Sequence, residues 1–511
     1  MSTFSWNSFY TYETCQSPVV DQLCILLGFT RLDERSYKGL MGYVVRAPAL
    51  RLKIPPRFPI IFIPRREARA EDVTALRDLM GVLNMVSYFA LVIDLRDTPP
   101  PNPQQALAHL LRQATHDFIV LDGHALRRLL AARDHSRELV EIILSQVDLT
   151  VVSPYVTSGP VPANMFFGRE AELKTIVRTV RDTNFAIVGG RKIGKTSILA
   201  RVLHLLQEIP EYHPFYLDCQ AVHSYEDFFE TVETMWRLEL PARTPEAFRR
   251  VITDLPTRYP LRTIVMLFDE IDGLLAYDIE RGESLFRVFR ALSQELALRF
   301  VFCGDKVLNN ALHNPRLAFF NFCNRMVLSY LRPEEARRVV TDPMHEMGVV
   351  LDEDGDLAAQ IIDYAACHPN MVQYLCQKLI ERINQRRERL IRRNDVESVG
   401  RSTEYAEYFA EVLWGSTTSL ERLITLWLLE RNHLTLGETA HTLDTAGLAV
   451  PLEHLEEAFE SLTLYSILRR EGPQYTFAAP AIARVLRRGT DVYGSAASYL
   501  EELRASYGVK Q

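Results

Sequence analysis

The chain has 511 residues, of which 47% are hydrophobic and 24% charged, and its formal net charge at pH 7 is −7. This length predicts about three or four domains, and the mildly acidic balance excludes a general electrostatic attraction to nucleic acid or anionic membranes. The first residues lack the basic and apolar regions of a signal peptide, and no stretch approaches the roughly 18 apolar residues of a membrane-spanning helix. A cytoplasmic location without a membrane partner is expected. The seven cysteines form no C-x-x-C pair and are expected to be reduced thiols rather than metal ligands.

Residues 1–150, the N-terminal unit, alternate apolar runs with helical patterns. This alternation predicts a separate α/β module on a parallel sheet with both faces covered. The apolar runs lie at 60–63, 89–95 and 118–121, the helical patterns at 71–86, 104–113 and 125–145, and a rigid proline-rich turn at 98–103.

Four carboxylates of this unit, Asp94, Asp97, Asp117 and Asp122, lie near the ends of its predicted strands. None belongs to a nuclease pattern, in which an acidic residue is followed by E-x-K or Q-x-K on one strand. The unit is interpreted as a sensor or effector that contacts a protein partner. A degenerate nuclease-like fold and an active enzyme are the alternatives.

The rest of the chain divides by composition and pattern. Residues 151–164 (VVSPYVTSGPVPAN) are rich in proline and predict a linker. The following units are a second α/β region at 165–345 (the core), a helical region at 346–410 (the lid), a region of three helical patterns and two short β-like runs at 411–490 (the C-terminal unit), and a helical tail at 491–511.

A glycine-rich turn follows the apolar run that begins at Phe185, and its sequence GGRKIGKTS matches G-x-x-x-x-G-K-[ST]. The glycines let backbone N–H groups surround a phosphate, and the following helix adds its positive dipole end. Lys195 would neutralise the β- and γ-phosphates, and Thr196 would ligate Mg²⁺. The expected nucleotide contacts are Gly189, Gly190, Arg191, Lys192, Ile193, Gly194, Lys195, Thr196 and Ser197.

A second apolar run, TIVMLFDEID at 263–272, ends in carboxylates about 75 residues later. Parallel strands place ligands at their carboxyl ends. Asp269 would hold the magnesium, and Glu270 would act as the general base on the attacking water. Asp272 is a candidate cap for the helix that follows.

Two weaker signals follow along the chain. The strand predicted at 300–303 precedes Asp305 and Lys306, where a polar side chain would sense the γ-phosphate from between the two motifs, or would simply end a strand. Arg325 is a candidate arginine finger for its own or a neighbouring subunit, and a surface arginine is the alternative.

Residues 166–173 (FFGREAEL) resemble the "F-x-G-R-E-x-E-L" segment of the signal-transduction ATPases with numerous domains (STAND) and of archaeal-type AAA+ ATPases. The phosphate-binding turn is similar to their "G-x-R-R-x-G-K-T-S" variant, and Asp269 and Glu270 match their acidic pair. Residues 328–336 (LSYLRPEEA) and 368–376 (HPNMVQYLC) resemble their "L-x-P-L-x-x-x-E-A" step and "G-x-P-x-x-x-Q-x-L-C" lid helix, with Cys367 where the family has glycine.

The resemblance covers about residues 165–490 and does not reach the N-terminal unit. It implies an α/β P-loop NTPase core with a helical lid and a winged-helix domain, with ATP and Mg²⁺ as cofactors. It also implies that Pro369 packs near the adenine.

The charge of the expected winged helix argues against DNA reading. Its candidate reading helix at 451–464 carries Glu453, Glu456, Glu457 and Glu460 and no Lys or Arg, and a phosphate backbone repels such a face. A basic tract, Arg382, Arg386, Arg387, Arg389, Arg392 and Arg393, is expected to be a solvated helix face, with an acidic partner or nucleic acid as the alternative.

The combined interpretation is an ATP-binding, slowly hydrolysing signalling switch. Nucleotide state would control closure of the lid and winged helix, and with it homo-oligomer assembly or a protein partner of the N-terminal unit. Nucleic acid is not expected as a partner. The alternatives are a DNA-binding, initiator-like AAA+ ATPase and a scaffold that binds ATP without hydrolysis.

Overall fold

The structure is a computed structural model that describes residues 16–48, 52–63, 70–85, 89–94, 111, 117–296, 298–353, 355–489 and 492–507. Asp97, Cys15, the turn expected at 98–103 and, apart from Leu111, the helix expected at 104–113 lie outside the described residues. Among the helices that the structure describes, none has both the length and the apolar character needed to cross a membrane.

The described part of the N-terminal unit is built on one five-stranded sheet in the order β1-β2-β3-β4-β5. Neighbouring strands from β1 to β3 are antiparallel, and those from β3 to β5 are parallel. The elements are α1 (Gln16–Leu27), β1 (Thr30–Tyr37), β2 (Leu40–Arg46), β3 (Arg57–Ile63), α2 (Ala70–Val82), β4 (Phe89–Asp94), β5 (Asp117–Leu121), α3 (Gly123–Ala131), α4 (His135–Leu144) and the short α5 (Leu149–Val152).

The expectation of a purely parallel sheet is wrong for the first two strands of this unit. Strand β1 is a charged edge strand that is exposed along almost its whole length, so it lacks the apolar alternation that marks a half-buried strand. Lys38 and Gly39 join β1 to β2 with φ of 50° and 79°. Two left-handed residues make a tight hairpin turn that matches the twist of the strands.

The core contains a five-stranded, wholly parallel sheet in the order β10-β6-β9-β8-β7. Its elements are α6 (Glu170–Thr179), β6 (Phe185–Gly189), α7 (Lys195–Glu208), β7 (Tyr212–Asp218), α8 (Tyr225–Trp236), α9 (Pro245–Thr253), α10 (Leu255–Arg258), β8 (Thr263–Asp269), α11 (Asp272–Glu280), α12 (Ser284–Glu295), β9 (Leu298–Gly304), α13 (Lys306–His313), β10 (Asn324–Leu328) and α14 (Pro333–Glu346). Strand β9 lies between β6 and β8, as the sequence predicted.

Apolar side chains cover both faces of the core sheet. One face packs on α6 and α7 through aliphatic residues such as Ile198 and Val265. The other packs on a cluster of aromatic rings, which comprises Phe228, Phe248, Phe268, Phe286, Phe289, Phe300, Phe302 and Phe319. Burial on both faces explains why these strands appear in the sequence as continuous apolar runs rather than alternating ones.

The lid and the C-terminal unit follow the core. Their elements are β11 (Val350–Leu351), α15 (Leu357–Tyr364), α16 (Pro369–Gln385), β12 (Leu390–Ile391), α17 (Arg393–Gly400), α18 (Thr403–Trp414), α19 (Ser419–Arg431), β13 (Leu434–Thr435), α20 (Leu436–Thr445), α21 (Leu452–Leu464), β14 (Leu468–Glu471), β15 (Gln474–Phe477), α22 (Pro480–Gly489) and α23 (Val492–Tyr507). The helices and the β13-β15-β14 sheet agree in order with the winged-helix expectation.

The basic tract is not one helix face. It runs from the end of α16 through β12 into α17, and most of its arginines contact carboxylates of this chain. Arg382 and Arg386 bind Asp395, Arg392 binds Glu388, and Arg389 lies 3.6 Å from Glu141.

The linker at 151–164 is held in place instead of hanging free between the units. The Tyr155 hydroxyl donates to the carbonyl of Val340 at 3.0 Å, and the Val161 N–H donates to Ser197 Oγ at 3.1 Å. On the other side, the Lys53 N–H donates to the carbonyl of Val152 at 2.7 Å. The linker is therefore bonded to the N-terminal unit and the core along its length.

Candidate functional site

The phosphate-binding turn, residues 189–197, joins β6 to α7 at the carboxyl edge of the core sheet. Gly194 has φ of 103°, a left-handed conformation that favours glycine. A Cβ at Gly189 would lie 2.4 Å from the carbonyl oxygen of Leu328 on the neighbouring strand. Both glycines are therefore required by the backbone path, which places free N–H groups at the start of α7.

Lys195 is buried, with 6% of its surface exposed. Its Nζ donates to the carbonyls of Gly189 at 2.9 Å and Gly190 at 3.1 Å, so the lysine holds its own turn in shape. Burial raises the pKa values of three nearby carboxyls, those of Asp269, Asp272 and Asp305, and the lysine charge opposes this effect. The ammonium group of Lys195 therefore partly balances the negative charge of the carboxylates at this edge of the sheet.

Strand β8 delivers the acidic pair to the same edge. Asp269 is buried, and this burial raises the pKa of its carboxyl to about 6 against the opposing effects of a Thr196 hydrogen bond and of Lys195. Glu270 is exposed, has φ of 50°, and donates its N–H to Asp269 Oδ1 at 3.1 Å. The two predicted metal residues, Thr196 and Asp269, are thus in contact, and the predicted base lies beside them.

These oxygens fit a magnesium ion bound together with nucleotide. Among the described residues there is no group of three or more His, Cys, Asp or Glu side chains that would hold a metal. Mg²⁺ in such sites takes only one or two protein oxygens, and phosphates and waters complete its shell. A hydroxyl and a carboxylate in hydrogen-bond contact at the phosphate-binding turn satisfy that requirement.

Asp272 does not cap the helix that it begins, which corrects one sequence-based prediction. It accepts hydrogen bonds from the N–H groups of Asp305 at 2.6 Å, Val307 at 2.8 Å and Leu308 at 3.2 Å, and so caps α13 instead. Burial raises the pKa of its carboxyl to about 6. The side chain therefore fixes the turn that follows β9 beside the candidate site.

A cleft of about 610 Å³ opens over the phosphate-binding turn. The predicted residues that line it are Arg191, Lys192, Ile193, Gly194, Lys195, Thr196, Ser197, Asp269, Glu270 and Pro369. Gly189 and Gly190 are not in the lining and act through the carbonyls that hold Lys195. The structure thus brings three distant segments of the chain to one cavity.

Sequence reasoning missed several lining residues. The linker contributes 156–161, β7 contributes Tyr216 and Asp218, and α16 contributes Asn370 and Gln373. Two of them left a usable signal: Gln373 stands at the glutamine of the lid-helix motif, and Asp218 is an acidic residue at the end of a strand, where the structure pairs it in register with Asp269. The other residues reach the cleft through tertiary contacts that no local pattern announces.

Arg325 does not line the cleft of its own chain. It lies exposed on the edge strand β10, and its Nε donates to Asn309 Oδ1 at 2.8 Å. The carboxylate of Glu460, in the C-terminal unit, interacts electrostatically with the Arg325 guanidinium. An arginine finger for its own nucleotide is therefore not supported, and a role in a neighbouring subunit stays a prediction.

The C-terminal unit touches the phosphate-binding turn directly. A Cβ at Gly190 would lie 3.2 Å from the carbonyl oxygen of Tyr465, and the Ser329 and Ser466 hydroxyls are 2.8 Å apart. Burial is the main cause that raises the pKa of the Tyr465 hydroxyl, and the negative charge of Asp305 raises it further. The position expected to sense the γ-phosphate is therefore also a docking point for the C-terminal unit.

The lid reaches the same turn from the other side. Lys192 Nζ donates to the Tyr408 hydroxyl at 3.0 Å, and that hydroxyl donates to Asn370 Oδ1 at 2.8 Å. Cys367, at the family's glycine position, has φ of 58°, so it adopts the conformation that a glycine would take. This keeps the turn before α16 and places Pro369 in the cleft wall.

Several solved protein structures are similar to this chain. The chain is similar to the Walker-type ATPase PABY2304 of Pyrococcus abyssi, with 16% identity and a TM-score of 0.47 over 65% of this chain and 99% of that one. It is similar to the Aeropyrum pernix ORC2 protein in its ADPNP–ADP complexes (11% identity, TM-score 0.48, 66% and 97% covered) and to the Aeropyrum pernix ORC1 protein in complex with DNA (18%, 0.38, 68% and 96%). No curated protein matches the chain.

The expectation that nucleic acid is not a partner stays a prediction. The α/β P-loop NTPase fold with additional helical domains is confirmed. The family model described as Novel STAND NTPase 1 matches residues 159–464, more than half of the chain. The chain therefore belongs to the Novel STAND NTPase 1 family, which confirms the resemblance read from its motifs.

Proposed function

We propose that this protein binds ATP with Mg²⁺, hydrolyses it slowly, and uses the nucleotide state to switch the arrangement of its units. The observation that carries the proposal is the cleft itself. The core, the linker and the lid all line it, and the C-terminal unit contacts its phosphate-binding turn at Gly190.

Four side chains of the cleft have defined roles in this proposal. Lys195 neutralises the β- and γ-phosphates, while the N–H groups of 189–197 surround them. Thr196 and Asp269 hold Mg²⁺, which when bound stabilises negative charge on the phosphates. Glu270, exposed beside the metal residues, orients and deprotonates water as the general base.

The switch follows from which units the ligand touches. A ligand shifts a conformational equilibrium only by its difference in affinity for the two states. Nucleotide in this cleft contacts core, linker and lid at once, so its affinity depends on how they are arranged. Asp305 interacts electrostatically with Lys195 of the phosphate-binding turn and with Tyr465 of the C-terminal unit, which supports a link between that unit and the phosphate end of the nucleotide.

The N-terminal unit sits on the lid, which gives the switch an output. The Leu149 N–H donates to Asn384 Oδ1 at 2.9 Å, and Arg389 Nη2 donates to the carbonyl of Leu144 at 2.9 Å. Any rotation of the lid therefore moves or releases the N-terminal unit. This supports assembly or partner binding through that unit as the response to ATP.

Small-angle scattering of the Glu270→Gln protein tests the switch, because this variant is expected to trap the ATP state. We expect a different radius of gyration or mass with Mg–ATP than with Mg–ADP or without nucleotide. Lys195→Ala is the matched control and should give one profile in all three conditions. Superimposable profiles of Glu270→Gln, with ATP binding verified, would support a scaffold instead.

Steady-state hydrolysis with and without duplex DNA, at one fixed low salt concentration, addresses the alternative of a DNA-binding ATPase. Helix α21 exposes Glu453, Glu456, Glu457 and Glu460, a face that opposes a phosphate backbone. We therefore expect DNA to leave the rate unchanged. Stimulation by DNA would favour the initiator-like alternative.

A further inference from the structure

The wall of the cleft formed by the linker is pinned by two side-chain amides of α16. The Val156 N–H donates to Gln373 Oε1 at 3.1 Å, and Asn370 Nδ2 donates to the carbonyl of Thr157 at 3.0 Å. A backbone N–H can only donate and a carbonyl can only accept. The backbone partners therefore fix which end of each amide is oxygen and which is nitrogen.

The two amides differ in what remains free. Asn370 is satisfied at both ends, since its Oδ1 accepts from the Tyr408 hydroxyl at 2.8 Å. Gln373 Nε2 donates no hydrogen bond within the part of the chain that the structure describes, although the residue is only 6% exposed and lines the cleft. Because the Oε1 atom is already bonded to the linker and the residue lines the cleft, the NH₂ group is the end of this amide that is available to an acceptor on a ligand in the cleft.

The surroundings of Gln373 suit a flat aromatic ring. Apolar residues from four segments line the same cleft: Val156, Val161, Leu331, Val339 and Pro369. Apolar walls with one or two fixed polar groups are the usual composition of a small-molecule site. The charged phosphate-binding residues belong to the turn at 189–197, so the linker and α16 are left for the other end of the nucleotide.

We propose that Gln373, held by the linker at Val156, reads the base of the bound nucleotide and selects adenine. Its Nε2 donates to a ring nitrogen of the base, and the carbonyl of Thr157 accepts from the exocyclic amine. Adenine presents an acceptor beside an amino donor, whereas guanine presents two adjacent acceptors on the corresponding edge. This inference rests on the proposed binding of a nucleoside triphosphate and adds its base specificity.

Through the same residue, the linker is coupled to the bound nucleotide. Gln373 binds the linker with one end of its amide and the base with the other. Loss of the base therefore frees the donor but leaves the linker bonded, while loss of Gln373 affects both. The variants below separate these two effects.

The decisive variant is Gln373→Glu, which keeps an oxygen acceptor for the Val156 N–H and removes the NH₂ donor. We expect Mg–ATP affinity, measured by calorimetry, to fall roughly 10-fold or more, as for the loss of one hydrogen bond to a buried group. The preference of the parent protein for ATP over GTP should shrink by a similar factor. Affinity for inorganic tripolyphosphate, which has no base, should not change.

Gln377→Glu is the matched control, because Gln377 lies one turn further along α16, bonds to Glu381 and does not line the cleft. It should bind ATP and tripolyphosphate as the parent does, and melting curves of all variants check their folding. Unchanged ATP affinity in Gln373→Glu would overturn the inference, as would an equal loss for ATP and tripolyphosphate. If the parent protein bound neither ligand, the proposed function itself would fail.

Discussion

The core and the N-terminal unit are both α/β structures with buried sheets, yet the candidate site is found in only one of them. In the core, the order β10-β6-β9-β8-β7 places β6 between strands that come much later in the chain. The chain leaves the carboxyl end of β6 toward β7 at one edge of the sheet, and leaves that of β9 toward β10 at the other edge, so a crevice opens between these two strand ends, which is where α/β proteins bind ligands. In the N-terminal unit, β3, β4 and β5 lie in chain order, and no such reversal occurs among the described strands.

The carboxylates of the two sheets differ in the same way. Asp218 and Asp269 end neighbouring strands in register and converge on the phosphate-binding turn. Asp122 follows β5 in the N-terminal unit and accepts the Ala125 N–H at 2.7 Å as a helix cap. Acidic residues at strand ends are therefore common to both sheets, and topology decides which of them form a site.

The largest effect expected from this contrast concerns Lys195. Lys195→Ala should reduce ATP affinity by roughly 100-fold, because it removes a charge-assisted contact to the phosphates worth up to about 3 kcal/mol. It also removes the bonds to the Gly189 and Gly190 carbonyls that shape the turn. Fluorescence titration with a labelled ATP analogue measures the loss, and an unaltered affinity would refute the phosphate-binding interpretation.

Glu270→Gln should retain ATP binding and lower turnover by roughly 100-fold or more, the usual contribution of a general base. The amide keeps the shape of the side chain but cannot accept a proton from water, and Asp269 remains to hold the metal. Steady-state phosphate release measures turnover. Turnover at the parent rate would show that Glu270 is not the base.

Asp122→Asn in the N-terminal unit is the matched substitution for this comparison. Asparagine caps helices about as well as aspartate, so the fold should persist and turnover should equal that of the parent. A fall in turnover similar to that of Glu270→Gln would show that both sheets contribute to catalysis. The contrast between the two units would then be wrong.

The sequence predicted the core better than the rest because its signals are local. The phosphate-binding turn and the acidic strand each lie within about ten consecutive residues. Within so short a segment, the backbone conformation sets which functional groups come together and how far apart they lie. Hairpin β1–β2 was missed because its charged edge strand has no apolar face to detect.

The cleft wall was missed for a different reason. Gln373 stands at the glutamine of the lid-helix motif, but the motif does not show which segment it contacts, because its bond to Val156 joins residues more than 200 positions apart. Asp272 illustrates the same limit, since it caps a helix that begins 34 residues later and is separated from it by a whole strand. Local sequence thus predicts the functional groups of the candidate site, and tertiary packing decides which units of the chain contact them.

A smaller effect is expected in the lid, where buried charge supports the helices that carry the cleft wall. Asp395 has a side chain that is 2% exposed. Burial alone would raise its pKa, but hydrogen bonds from Arg386, from the Arg392 N–H and from Arg382 outweigh it and hold the pKa at about 2. A carboxyl with a lowered folded-state pKa stabilises the fold above its ordinary pKa near 3.8, and this contribution is lost as pH falls toward 2.

Asp395→Asn should therefore lower the free energy of unfolding of the lid by about 2 kcal/mol at pH 7. The difference from the parent should shrink as pH falls from about 4 toward 2. Hydrogen exchange in α16 and α17 measures it. Asp363→Asn, which removes an exposed pair with Arg484, is the control and should cost less than about 1 kcal/mol; equal losses in the two variants would contradict the assignment.

The smallest effect tests the seat of the N-terminal unit on the lid. Arg389 donates to the carbonyl of Leu144 and lies near Glu141, whereas the side chain of nearby Arg387 makes no hydrogen bond or ion pair within the described part of the chain. Arg389→Ala should loosen the seat by about 1 kcal/mol, the value of one hydrogen bond. Cleavage in the linker by a protease that samples local opening should become roughly fivefold faster.

Arg387→Ala, which removes the same charge from the same turn, should leave the rate unchanged. Equal rates in the two variants would mean that Arg389 does not hold the N-terminal unit on the lid, and a response of that unit to nucleotide would then have to pass through the bond between Leu149 and Asn384 or through the linker.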